Sequence, residues 1–200
     1  TKYDEFFNNF KLPKNKKIIF YPAQFWAHKN HKYIIDVVKA LKKNNDTRYF
    51  FVFCGAKKNN YKYIKDLIDN NELNEYLKIL DFINENEMIS LYLNCDGVVM
   101  PTYCGPTNLP LYESFYFKKI IFYTKGLIAN DEINNGLIEI DISSPKDFYQ
   151  KLDICFEENK IKKITEKNYE YYRLICDKNL FKKTYKKILD DFSYLLDRWK

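Results

Sequence analysis

Glu113 and Lys29 are the residues whose type and setting best suit chemistry on an anionic ligand. Glu113 stands about one helical turn inside a segment that follows the small polar turn Cys104-Gly105-Pro106-Thr107-Asn108. That turn separates an apolar run, Gly97 to Tyr103, from a helical pattern, Leu109 to Phe117. A strand that ends this way and opens a helix presents free backbone N–H groups, and the helix dipole makes the spot attractive to a phosphate. A carboxylate one turn in can accept hydrogen bonds from sugar hydroxyls. The turn therefore reads as the floor of a nucleotide-binding cleft. Lys29 belongs to a second loop, Ala23 to Asn30, where it supplies a point charge for a phosphate while His28 and Asn30 can donate hydrogen bonds. Phe25 and Trp26 in the same loop need a surface to lie on. A purely structural reading stays open, in which Asn30 caps the next helix and Lys29 is solvated.

Other chemistries lack their residues. His28 and His31 have no nearby Cys or Asp, so no metal site is expected. Cys104 has no dedicated base beside it and reads as a small packing residue rather than a nucleophile. Neither G-x-x-x-x-G-K-[ST] nor G-x-G-x-x-G occurs, which removes the usual signature of an ATPase or a dinucleotide oxidoreductase. In Phe82-Ile83-Asn84-Glu85-Asn86-Glu87, Asn84 and Glu87 form a capping-box pattern. The backbone at Phe82 and Ile83 is free to face a flat base at the sheet edge.

The elements that must position these residues follow one cycle. Lys17 to Tyr21, Tyr49 to Cys54, Leu77 to Phe82, Gly97 to Met100, Lys119 to Tyr123 and Gly136 to Ile140 read as six strands. Several are unbroken apolar runs, typical of strands covered on both faces. Gly55 stops the second. Between them, apolar residues recur at three- and four-residue spacing, as in Tyr33, Ile34, Val37, Val38 and Leu41. Tyr61 to Asn70 and Glu85 to Leu93 read likewise as helices. Ser144-Pro145 reads as a helix start, and helices fill roughly 146–158, 163–175 and 180–199. Strands alternating with helices predict an α/β fold, a Rossmann-like doubly wound parallel sheet with helices on both faces and C-terminal helices at the end. In such sheets ligands bind beyond the carboxyl ends of the strands. The loops 24–30, 82–85 and 103–110 all fall there.

With 200 residues and 46% apolar content the chain supports one sizeable core. The net charge of +6 comes almost wholly from Lys, since Arg48, Arg173 and Arg198 are the only arginines. Lysines alternate with acids and apolar residues, the pattern of solvated helix faces rather than of a nucleic-acid surface. An anionic membrane surface suits the same charge. Cys54, Cys95, Cys104, Cys155 and Cys176 are odd in number and widely spaced, so disulfides and zinc are not expected and a cytoplasmic setting is. No signal peptide and no bilayer-spanning run is visible. Thr1 to Asn15 reads as a linker or surface arm.

The order of these segments resembles the C-terminal, donor-binding half of GT-B fold glycosyltransferases, specifically family four, the retaining nucleotide-sugar enzymes. The matching parts are Lys29, then Phe82-Ile83, Leu91-Tyr92, Pro101, the turn 105–108, and Leu109-Pro110-Leu111-Tyr112-Glu113-Ser114. The resemblance covers roughly residues 16–158, and the joint match in order and spacing is what makes it specific. It implies a nucleotide-sugar-binding domain over 16–178, a crossover helix over 179–200, and an N-terminal acceptor domain that this chain lacks. Lys29 and Glu113 would be catalytic, Lys29 neutralising the donor diphosphate and Glu113 holding the ribose. Backbone N–H groups near Asn108 and Leu109 would cradle the distal phosphate, and Phe82 and Ile83 would face the base. Gln24, His28, Gly55, Gly105, Pro106 and Thr107 complete the implied donor-binding set.

The resemblance further implies glycosyl transfer with retention, in bacterial surface polysaccharide or glycoconjugate synthesis. A nucleotide-diphosphate sugar would be the donor, with no cofactor and no required metal. The acceptor would be a sugar or lipid-linked sugar, reached at the cytoplasmic face of the membrane, and no nucleic acid is involved. The chain departs from the family at two positions. Gly105 stands where the first of two glutamates separated by seven residues is expected, and Gln24 stands where Arg is usual. Loss of a fixed cation beside a diphosphate weakens binding by ~1–3 kcal/mol, the scale of a charged hydrogen bond. These departures admit an alternative branch of donor recognition, a non-catalytic module of the same fold, or a nucleotide-sugar epimerase. This half alone is expected to be inactive.

Overall fold

A run such as Tyr49-Phe50-Phe51-Val52-Phe53-Cys54 has no polar face to turn toward water, so it is stable only when covered on both sides. The computed structural model, which describes residues 2–81, 83–105, 109–128, 133 and 136–199, buries that run completely. The strands are β1 (Lys17–Pro22), β2 (Tyr49–Cys54), β3 (Leu77–Leu80), β4 (Gly97–Met100), β5 (Ile120–Thr124) and β6 (Ile138–Ile140). They form one six-stranded sheet in the order β3-β2-β1-β4-β5-β6. Every pairing is parallel, with register Ile18↔Phe50, Phe20↔Val98 and Phe122↔Ile138.

The helices among the described residues are α1 (Lys2–Phe10), α2 (His31–Lys43), α3 (Tyr61–Asn70), α4 (Glu85–Asn94), α5 (Leu109–Tyr116), α6 (Pro145–Lys151), α7 (Glu158–Ile175) and α8 (Lys178–Asp197). Connections from β1 to β3 run one way across the sheet and those from β3 to β5 run back. Right-handed crossovers then put α2 and α3 on one face and α4 and α5 on the other. The contacts agree: α2 packs on α3 and α6, α5 packs on α7, and α4 lies over β1 beside α1. Phe148 of α6 meets the rings of Tyr33, Phe51 and Phe122, tying α2, β2 and β5 into one core.

The expected α/β architecture is what the chain adopts, with strand ends shifted by one or two residues and the following differences among the helices. Residues 2–10 form a helix rather than an arm, because Phe6, Phe7 and Phe10 share one face and bury it with Leu12. The helix expected over 146–158 stops at Lys151 and continues as a 3-10 turn, Leu152–Phe156, which buries Leu152 and Cys155 three residues apart on one side. α7 then starts at Glu158, earlier than its apolar pattern suggests. Ser144 holds the N-cap position of α6 without a side-chain cap, while Asp147 Oδ2 accepts from the Asp141 N–H at 2.9 Å.

The reversal of direction at β1 fixes where a ligand can enter. β1 and β4 are neighbours in the sheet but their connections run to opposite faces, which makes the crevice beyond their carboxyl ends the place where sheets of this kind bind ligands.

Candidate functional site

Two loops meet over that crevice. The loop after β1 contains a short 3-10 turn, Ala27–Lys29, closed by Asn30 in the left-handed region at φ 56°. Asn tolerates that conformation better than most residues. The His28 carbonyl accepts from the Tyr103 N–H at 2.9 Å and from Thr102 Oγ1 at 3.1 Å, which joins this loop to the one after β4. Thr124 Oγ1 donates to the Thr102 carbonyl at 2.9 Å, so β5 braces the same point. The Tyr21 hydroxyl donates to the Lys29 carbonyl and fixes the main chain of the expected phosphate-neutralising lysine. His28 is exposed and Lys29 half-buried.

Gly55 has a packing reason to be glycine. A Cβ there would lie 2.2 Å from the Ala23 carbonyl oxygen and 2.7 Å from the Gln24 nitrogen. The turns after β1 and β2 thus touch backbone to backbone, and the Phe25 N–H donates to the Ala56 carbonyl at 3.1 Å. Gln24, which stands where a cation was expected, accepts from Trp26 Nε1 at 3.0 Å through its side chain.

On the other side of the crevice, α5 carries Glu113 half-buried. Tyr92 of α4 donates its hydroxyl to Glu113 Oε2 at 2.6 Å. Burial and the neighbouring Glu113 charge hold the Tyr92 hydroxyl well above the usual phenol range, so it stays a proton donor at neutral pH. One carboxylate oxygen is therefore anchored to the protein while the other can turn to a ligand. Leu109, at the start of α5, is exposed, and Gly105 is half-buried. Phe82, Pro106, Thr107 and Asn108 lie outside the described residues. Among the described residues no hydrogen bond or ion pair joins Lys29 to Glu113.

A cavity of about 580 Å³ opens beside the crevice, beyond the carboxyl ends of β2 and β3. Ile83, expected to face a base, and Gly55, from the wider donor-binding set, line it together with Cys54, Ala56, Met88, Lys57 and Asp81. Burial pushes the Cys54 thiol up to about 12, leaving it protonated and unreactive. Asn84 and Glu87 form the expected capping box at 3.0 and 2.8 Å, which sets the start of α4 against this cavity. Lys57 and Asp81 belong to no sequence motif. The available signal was their place as charged residues just beyond the paired strand ends Cys54 and Leu80. A larger cavity, about 760 Å³, runs along the outer edge of β3 and includes none of the expected residues. Its lining mixes Lys11, Lys16, Lys65 and Lys78 with Asp69, Glu75 and Asp81.

His31 is a core residue, not a ligand. Its ring stacks on Phe25 at 4.4 Å between centroids and lies against Tyr21 and Phe53. Burial pushes it down to about 3, so it is neutral at pH 7. Asn30 is buried as well, and its side chain does not cap α2. Cys104 is exposed rather than packed. Among the described residues there is no group of three or more His, Cys, Asp or Glu side chains suited to a metal ion. Nor is any described helix long and apolar enough to cross a membrane.

Comparison with solved structures places this sheet and these helices in known company. A glycosyltransferase from Rickettsia africae ESF-5 superposes with a TM-score of 0.80 at 22% identity, covering 95% of this chain and 51% of that one. The C-terminal domain of a glycosyl transferase group 1 family protein (LpcC) from Francisella tularensis gives 0.68 at 20% identity, covering 86% of this chain and 91% of that domain. Anabaena Alr3699/HepE, solved in complex with UDP, gives 0.79 at 13% identity over 94% of this chain and 52% of that one. At these identities the likeness is one of fold, and the chain spans about half the length of the Rickettsia and Anabaena proteins. No curated protein sequence matches the chain. The sequence profile of the family described as glycosyl transferases group 1 matches residues 2–173, and the chain belongs to that family.

Proposed function

We propose that this chain is the donor-binding half of a retaining glycosyltransferase that uses a nucleotide-diphosphate sugar. The reading rests on the β1–β4 crevice, where the His28 carbonyl ties the two loops together and Tyr92 anchors Glu113 across from Lys29's loop. Lys29 offers the charge that offsets a diphosphate, and the exposed start of α5 at Leu109 offers backbone N–H groups and a positive helix end. Glu113 accepts from ribose hydroxyls with its unanchored oxygen. Stabilising the departing nucleoside diphosphate by fixed charge is an electrostatic role that calls for no metal or cofactor. UDP in the Anabaena protein supports a nucleotide ligand in this fold.

The acceptor half belongs to the rest of the protein, and α8 is the segment that crosses to it. α8 is capped by Asp177, yet every described residue in it is exposed, including Phe181, Ile188, Leu189, Phe192 and Leu196. A helix with such a face is stable when that face is covered. A sugar or lipid-linked acceptor at the cytoplasmic face of a bacterial membrane, in surface polysaccharide or glycoconjugate synthesis, fits the basic lysine faces. A non-catalytic module is the second reading, favoured by the Gln24–Trp26 bond, which replaces a fixed cation beside the diphosphate with a neutral pair.

The deciding experiment is product analysis on the full-length protein with nucleotide sugars and candidate acceptors. Transfer with the donor's anomeric configuration kept, reduced at least about tenfold by Lys29→Ala or Glu113→Ala, is the expected result. Inverted product, or free epimerised sugar without transfer, overturns the reading.

A further inference from the structure

The cavity beyond β2 and β3 has a polarity pattern that bears on which base it takes. Ala56, Ile83 and Met88 give it apolar walls, and Cys54 contributes a neutral thiol. The charged residues lining it are Lys57 and Asp81, paired at 2.8 Å between Nζ and Oδ1 and both exposed. Lys57 is steadied over the Tyr61 ring at 5.1 Å. Apolar walls with a few placed polar groups are how pockets hold a flat ligand and fix its orientation. An exposed ion pair adds little to fold stability, so it can be redirected to a ligand at low cost.

We infer that the Lys57–Asp81 pair reads the edge of the donor's base and selects guanine, making the donor a guanosine-diphosphate sugar. This rests on the donor-site reading above. Guanine carries a carbonyl oxygen, O6, next to two donors, N1–H and the N2 amino group. An ammonium beside a carboxylate matches that order: Lys57 donates to O6 while Asp81 accepts from N1–H and N2–H in bidentate fashion. Uracil offers one N–H between two carbonyls, so the carboxylate makes a single bond and faces repulsion on both sides. Adenine presents an acceptor nitrogen where Asp81 needs a donor, and no carbonyl for Lys57. Lys57 and Asp81 stay paired with each other and open to water, so discrimination comes from the extra hydrogen bonds that guanine makes and from the repulsion between the carboxylate and uracil's carbonyls.

The test is calorimetric titration of GDP, UDP and ADP into the chain, its Asp81→Asn variant and its Lys57→Met variant. Circular dichroism checks that both variants fold, as exposed positions should. GDP is expected to bind at least about tenfold more tightly than UDP, with ADP weakest. Asp81→Asn should weaken GDP by about tenfold or more and change UDP by less than about threefold. Lys57→Met should weaken GDP and UDP together, since both present a carbonyl. Equal affinity for the three nucleotides, or a GDP preference unchanged in Asp81→Asn, overturns this assignment and leaves the donor site standing. No binding of any nucleotide at millimolar concentration overturns both.

Discussion

The α/β body and α8 are built from the same kind of sequence and end in opposite environments. In α2, residues Ile34, Val37, Val38 and Leu41 follow helical spacing and are fully buried under the sheet. In α8, Leu180, Phe181, Ile188, Leu189, Phe192 and Leu196 follow the same spacing and are all exposed. Helical periodicity therefore specifies that a face exists, and says nothing about what covers it. For α2 the cover is β1 and its neighbours. For α8 we assign it to the acceptor half.

The sharpest way to break this comparison is a matched pair of truncations. Phe51→Ala in β2 removes a fully buried ring and should cost about 3–5 kcal/mol, enough to threaten folding. Phe192→Ala in α8 should change the stability of the chain by no more than about 0.5 kcal/mol. Urea unfolding of both variants measures the difference, and a large loss at Phe192 means that α8 is packed in solution.

A second contrast lies inside the body, at His31. Its folded value, about 3, lies below the ordinary 6.5, because burial disfavours the charged ring. As pH falls through 6.5 the unfolded chain takes up a proton that the folded chain does not, so stability is full above about 6.5 and declines toward 3. The slope from this residue is at most about 1.4 kcal/mol per pH unit, or about 2 kcal/mol between pH 7 and pH 5. His31→Phe, which keeps the stack on Phe25, should remove that part of the acid sensitivity. Unfolding curves of both proteins at pH 7 and pH 5 test it, and parallel losses contradict the assignment.

The smallest effect is expected at the start of α4. Asn84→Ala removes one half of the capping box and should cost about 1 kcal/mol. Because α4 carries Tyr92 and borders the cavity that we propose holds the base, the same variant should weaken nucleotide binding modestly. A stability loss with nucleotide affinity untouched would separate α4's cap from the site.

Several of these features are legible in the sequence for a plain reason. Unbroken apolar runs and helical spacing are local signals, and Asn84 and Glu87 lie one turn apart. The alternation of strands and helices then gives the parallel sheet and places the Ala23–Asn30 loop and the turn at Gly105 at its carboxyl ends. Contacts between separate elements are less legible. The Tyr92–Glu113 bond joins residues 21 apart on different helices. The Lys57–Asp81 pair depends on the parallel register of β2 and β3. α1 has a helical period in Phe6, Phe7 and Phe10, but the segment is short, rich in charged and amide residues and soon followed by Pro13, so it reads equally well as a surface arm.

We propose that a nucleoside diphosphate sits at the crevice between β1 and β4. Backbone amide NMR of the chain during titration with a nucleoside diphosphate locates the ligand directly. Shifts concentrated at Gln24 to Asn30, Thr102 to Gly105 and Leu109 to Glu113 are expected, with binding weakened about tenfold in Glu113→Ala. Shifts confined to the outer edge of β3, around Lys16, Lys65 and Lys78, would contradict it.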